Sequence, residues 1–214
     1  MESRFKTVGI HNYKMSAGVP LSDPRIIVSC DHTKKCHSCM YGHLDMIRDF
    51  VENTDSQYGI FCEDDIIIDA DFLPRLDHIV RDFEKQNLDI VLLGYLIGHI
   101  VVGDYHNGFP VSLHSLYEGT TYRYYGYAPE TIWGTQMYMM TRKHAKYIIN
   151  KYSCPEANPN VHFSADWTIT QEGERRIVYP MLAIEDGKTT YDNAGQAHFH
   201  HLSHIAHLNS SNYI

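Results

Sequence analysis

The chain has 214 residues, 43% of them hydrophobic and 21% charged, enough for one large domain with a sizeable core. Its formal net charge is −8 and no lysine- and arginine-rich run breaks that acidity, which argues against nucleic acid as a partner and suits a metal ion. The longest apolar stretch, residues 90–102, is 13 residues long and includes Gly94, Gly98 and His99, too short to span a bilayer.

Met1 to Lys6 is charged from the start, so no secretory signal is expected there. Cys30, Cys36, Cys39, Cys62 and Cys154 form an odd, sparse set, read as reduced thiols of a soluble protein in a cytoplasmic compartment. Cys36 and Cys39 have the spacing of half a zinc site, but no second cysteine pair follows to complete four ligands.

In chain order, Phe5 to Ile10 reads as a short strand and Arg25 to Cys30 as another, with Pro20 and Pro24 in the loop between them. From Ser38 to Asn53 the apolar residues Met40, Leu44, Ile47 and Val51 recur at helical spacing. A buried strand, Tyr58 to Cys62, runs into Glu63-Asp64-Asp65, after which Ile66 to Ile68 is again apolar. Leu73, Leu76, Ile79, Val80 and Phe83 mark one face of a second helix, with Asp71 as its N-terminal cap. Asp89 to Gly94 is a third core strand.

Strand, helix, strand, helix, strand predicts an α/β domain with a mostly parallel central sheet flanked by helices. Residues 103–133 show no clear period and form a long loop of the kind that carries function. Helical pattern returns from Arg142 to Tyr152, and a short helix begins near Ser164 to Trp167. Ile177 to Tyr179 and Met181 to Ile184 form a last strand or strand pair. No repeat or second domain is visible, so residues 1–214 are read as one domain.

Glu63-Asp64-Asp65 is the most informative feature. Carboxylates at close quarters repel, and burial raises the cost of ionising them. A hard divalent cation such as Mg²⁺ or Mn²⁺ removes both problems and completes its shell with water and phosphate oxygens. The triad ends a strand, where ligands of parallel α/β sheets bind. A metal-assisted site for a phosphate-bearing substrate is therefore expected; the competing reading is a solvated turn.

Read together, several segments resemble a GT-A-fold glycosyltransferase, closest to glycosyltransferase family 25, the lipopolysaccharide-type enzymes. They are Cys39-Met40-Tyr41-Gly42-His43-Leu44, Ile60 to Asp65, Phe72-Leu73, Asp89 to Gly94, and Gly134-Thr135 through Tyr138 to Ala145, with Asp166 ahead of the final helix. Soluble viral glycosyltransferases, such as the capsid-modifying enzymes of chlorella viruses, look similar in style. Gly42 stands where the family usually has Ser, and the segment to Asp31 matches the family opening poorly.

The resemblance implies transfer of a sugar from a nucleotide-diphosphate donor, a UDP-sugar by family habit, to a glycan acceptor hydroxyl. A nucleotide-binding half would span about 1–100 and an acceptor-side half about 101–214. Asp65 would hold Mn²⁺ or Mg²⁺, while Asp64 or Glu63 would touch the donor ribose or bind through water. A further metal ligand would come from the C-terminal histidines: His198 and His200 share a side if that segment is extended, and His200, His204 and His207 share a face if it is helical. Asp166 would act as general base, with Glu185-Asp186 as the fallback pair. Thr7, Gly9, His11 and Tyr13 would cradle the nucleotide, with Tyr13 stacking on the base, and His43 would lie near the donor. The Tyr-rich stretch 117–127 suits sugar recognition.

Two rivals stand beside this reading. A nucleotidyltransferase also uses strand-end carboxylates, but no Gly-rich phosphate loop accompanies the first predicted strand. A non-catalytic metal- or carbohydrate-binding module would use the C-terminal histidines instead.

Overall fold

In chain order, a computed structural model begins with helix α1 (Glu2–Thr7), helix α2 (Asp31–Asn53), strand β1 (Tyr58–Cys62), strand β2 (Ile66–Ile68), helix α3 (Phe72–Lys85) and strand β3 (Ile90–Ile97). It describes residues 1–97, 105–106, 109–110, 114–119, 121–127, 132–157, 162–186, 197–198, 200–201 and 213–214. Strands β4 (Tyr105–His106), β5 (Phe109–Pro110), β6 (His114–Glu118), β7 (Arg123–Gly126) and the long β8 (Ile132–Thr141) follow. The chain continues through α4 (Arg142–Lys151), α5 (Ala165–Thr168), β9 (Arg175–Tyr179) and β10 (Ala183–Glu185).

Six strands form one sheet in the order β1-β8-β3-β9-β7-β6, and β2 pairs with β10 in a small separate one. The expected mostly parallel sheet is not what forms. Among the described strands of this sheet only the neighbours β3 and β9 are parallel; the other pairs are antiparallel. The strand–helix–strand reading nonetheless holds in direction. β1 and β3 point the same way across α3, but β8 inserts between them and runs against both.

Side chains alternate across this sheet, as the two-residue period requires. Ile90 and Leu92 of β3, Tyr138 and Met140 of β8 and Ile177 of β9 face one core, under α2, α4 and α5. Val91 and Leu93, Met137 and Met139, and Val178 face the other, under α1 and α3. On α2, Met40, Leu44 and Ile47 are almost completely buried, and their spacing turns His43 into the same interior face. Arg142 at the start of α4 donates to the carbonyls of Val51 and Thr54, satisfying the end of α2 and fixing it over the sheet.

Two other expectations are corrected. Phe5 to Ile10 is not a strand: Phe5 and Val8 are buried at a spacing of three, the helix period, and Gly9 ends the turn at φ +79°. Arg25 to Cys30 joins neither helix nor strand, because its apolar residues are not buried together: Ile26 packs on the core while Ile27 is 71% exposed. Asp71 does sit at the N-cap of α3, although its side chain makes no capping bond. The α2 helix begins a full two turns earlier than the apolar period shows, at Asp31.

The small β2–β10 sheet is tied to the large one. The Leu182 amide donates to the Leu93 carbonyl at 2.7 Å, and a Cβ on Gly94 would meet the Ala183 carbonyl oxygen at 2.6 Å. Only a glycine admits so close an approach of two backbones. Through this contact Glu185 and Asp186 are brought to the end of β1 that carries Glu63. Among the described residues, no helix is long and apolar enough to cross a membrane.

Candidate functional site

Glu63 is the point at which the elements meet. It follows the last residue of β1, and its amide donates to the Gln136 carbonyl of β8 at 3.0 Å, which continues the ladder one step past the strand. Its carboxylate Oε1 accepts from the hydroxyl of Thr135 at 2.8 Å, and the same hydroxyl lies 3.3 Å from Oδ1 of Asp166 on α5. Thr135 is fully buried and follows Gly134, whose φ of +98° turns β8 so that this hydroxyl faces the two acids. From α2, His43 presents Nε2 to Glu63 Oε1 at 3.6 Å, while its Nδ1 shares a hydrogen bond of 2.9 Å with the Tyr138 hydroxyl. Cys39 lies one helical turn before His43, and its sulfur, the His43 ring and the Glu63 carboxylate have ligand atoms within 4.8 Å of one another.

The local field follows from that crowding. Burial pushes the Glu63 carboxyl up, but His43 and the Thr135 hydroxyl outweigh it, with help from His200, and hold Glu63 below its ordinary value. Asp166 goes the other way. Burial, and then the charge of Glu63, push it up to about 6 against the opposing pull of His43 and Thr135. Two acids bridged by one hydroxyl are thus driven apart in acidity, the pattern by which sites sort carboxylates into charged anchors and proton acceptors. Desolvation, with the charges of Glu63 and Asp166, also raises the Cys39 thiol well above its ordinary value, and burial first of all raises the Tyr138 phenol, keeping it a hydrogen-bonding hydroxyl.

A groove of about 1160 Å³ opens beside these residues, walled by the segment after α1, by α2, by β1 and by α3. Gly9, His11, Tyr13, His43, Glu63 and Asp64 all line it, so six of the residues named from sequence share one surface. Tyr13 tilts against Phe5 with ring centroids 4.9 Å apart and stays partly exposed on the groove. Thr7 is not part of the wall: it is exposed, and its hydroxyl donates back to the Ser3 carbonyl within α1.

Asp65 is not part of the groove wall; it leads into β2, and its carbonyl accepts from the Asp186 amide at 2.7 Å. This draws Glu185 close, and Glu185 Oε2 meets Nδ1 of His200 at 2.6 Å. Of the C-terminal histidines, His200 thus sits on Glu185, a member of the fallback pair, and its charge helps hold Glu63 below its ordinary value. His198 is exposed and, among the described residues, makes no contact with these acids. His204 and His207 lie outside the described residues, as do residues 103–104, 107–108, 111–113, 120 and 128–131; the rest of the stretch expected as a long loop instead carries β4, β5, β6, β7 and the start of β8. Of the Tyr-rich segment, Tyr124 and Tyr127 are buried in the core rather than offered to a ligand.

Sequence reasoning assigned no role to Thr135, Tyr138 or Cys39. Thr135 and Tyr138 lay inside a quoted motif, but nothing local places a hydroxyl of β8 against an acid 72 residues earlier. Cys39 and His43 had a usable signal, a spacing of four on one helix, masked by the more familiar Cys36–Cys39 spacing. The chain matches no protein-family model and has no significant match among curated proteins.

Proposed function

We propose that the chain is a metal-dependent glycosyltransferase of the GT-A fold, moving a sugar from a nucleotide-diphosphate donor, a UDP-sugar, to a glycan hydroxyl. The motif resemblance supports this reading, and the observation that carries it is the position of Glu63. One side of that residue faces the groove lined by Gly9, His11 and Tyr13, and the other meets Asp166 across Thr135. A donor compartment and a proton acceptor thus share one boundary.

Glu63, Asp64 and Asp65 offer the hard oxygen donors that Mn²⁺ or Mg²⁺ takes, and His200 stands behind them on Glu185. Asp65 and Glu63 would hold such an ion; when bound it neutralises the diphosphate of the leaving group. The remaining work belongs to the chain. Tyr13 offers a ring face to the base, and Gly9 lets backbone approach the nucleotide. Asp166, poised at about 6, is deprotonated at neutral pH yet basic enough to take the acceptor hydroxyl proton. Thr135 and Gly134 hold that carboxylate at a fixed distance from the acidic strand end.

The test is calorimetric binding of UDP with and without Mn²⁺, on wild type and on Asp65→Ala. Binding that requires Mn²⁺ and disappears in the variant is the expected result, followed by UDP-sugar hydrolysis that Asp166→Asn abolishes. Absent or metal-independent binding, with Asp65→Ala behaving as wild type, returns Glu63-Asp64-Asp65 to a solvated turn.

A further inference from the structure

The sulfur beside the acidic strand end calls for a different ion from the one that oxygen donors attract. Cys39 and His43 are four residues apart on α2, so their side chains emerge on one face, one turn apart. Glu63 arrives from the sheet opposite, and one ligand atom from each of the three lies within 4.8 Å of the others. Two of the three are held in place before any ion arrives. His43 is 3% exposed, with Nδ1 engaged by the Tyr138 hydroxyl at 2.9 Å, which leaves Nε2 as the nitrogen facing Glu63. A histidine whose second nitrogen is already anchored is the usual arrangement of a metal ligand. Glu63 is anchored in turn by Thr135 at 2.8 Å. Cys39, the third, lines the groove wall: the residue keeps exposed surface there although protein crowds its sulfur, so an ion reaches it from the groove side.

We infer that Cys39, His43 and Glu63 form a site for a thiophilic divalent cation of the zinc class. One sulfur, one imidazole nitrogen and one carboxylate oxygen make a borderline-soft donor set, suited to Zn²⁺ or Co²⁺ and poorly suited to Mg²⁺. Three protein ligands with an open fourth position are the composition of an exchangeable zinc site rather than of a closed structural one. The site shares Glu63 with the nucleotide-sugar reading but does not rest on it, because its ion is held without nucleotide. A zinc-class ion seated here, on the groove wall, engages the Glu63 carboxylate that the nucleotide-sugar reading also uses, which makes the two occupancies competitive.

Co²⁺ titration of the whole chain without nucleotide tests this, because thiolate ligation gives a near-ultraviolet sulfur-to-cobalt charge-transfer band. Cobalt held by histidines alone does not produce that band, since no sulfur ligates it. Cys36 contacts His32 at 3.9 Å within the first two turns of the same helix, less than a turn from Cys39, and it supplies the control for cobalt bound by a neighbouring thiol. Wild type is expected to show the band and to lose it on adding Zn²⁺. Cys39→Ser, a near-isosteric change at an exposed position, is expected to abolish the band and weaken Zn²⁺ at least about tenfold, the lower end of what even outer partners of a metal command. Cys36→Ser is expected to leave both unchanged. Glu63→Gln should keep the band with weaker Zn²⁺ affinity, and an unchanged affinity there removes Glu63 from the site. No band in wild type, or one that survives Cys39→Ser and vanishes with Cys36→Ser, overturns the inference. Mn²⁺-dependent UDP binding is measured separately, so either reading can fail while the other stands.

Discussion

The surroundings of Asp166 displace its acidity, and the displacement has a thermodynamic sign. Its folded value is raised from 3.8 to about 6. Between those two values the folded chain therefore binds more protons at this position than the unfolded chain does. Stability from this residue is fully present below about 4 and is lost as pH rises through about 6. Asp166→Asn removes the ionisation while keeping the shape. Relative to the variant, wild type should lose stability across that window, read as denaturant midpoints at pH 4 and pH 7 in metal-free buffer. Parallel profiles for the two proteins would place Asp166 in an ordinary solvated setting. The residue itself was legible in the sequence as an acid ahead of a short helix. Its partner was not, because Thr135 reaches Asp166 only once β8 has been laid beside β1.

At the level of elements, legibility followed periodicity. The helices α2, α3 and α4 carry apolar residues at the helical spacing and were readable to within a turn or two. Six residues of α1 carry too few to separate a helix from a strand. The strand β8 escaped because eight of its ten residues are buried, so no polar alternation marks it. Gly42 shows what sequence cannot weigh. In mid-helix it costs helical stability, yet nothing lies within 4 Å of where its Cβ would stand, on the wall of the groove. Gly42→Ala is therefore expected to stabilise the chain by about 0.5–1 kcal/mol, visible as a raised Tm. The added methyl projects beside His43, so nucleotide affinity is the second quantity to read. A fall in Tm would mean that the groove wall is already occupied.

For the molecule as a whole, the geometry of the proposed site rests on how the small β2–β10 sheet is locked to the large one, since that lock sets Glu185, Asp186 and Asp65 against the end of β1. Leucine contacts alone do not fix such a register, and a buried ion pair supplies the direction. Asp69, just past β2, is 4% exposed and pairs with Arg75 of α3, itself 8% exposed. Arg75 also donates to the Pro180 carbonyl at 2.6 Å, ahead of β10, and lies over the Tyr122 ring at 5.0 Å. One guanidinium thus ties α3, the approach to β10 and the edge of the large sheet to the residue that ends β2. Removing one partner strands a buried charge, so Asp69→Ala should cost about 3–5 kcal/mol in a urea titration. The double change Asp69→Ala with Arg75→Met removes both charges and should recover much of that loss, because buried pairs replaced by apolar side chains are often near neutral. If this lock positions the site, the double variant will fold yet hold UDP and Mn²⁺ less tightly than wild type, since stability returns without the register. Full recovery of binding along with stability would show instead that the apolar contacts of Ile66, Ile68 and Leu182 set the geometry, and that the ion pair only fills space beneath it.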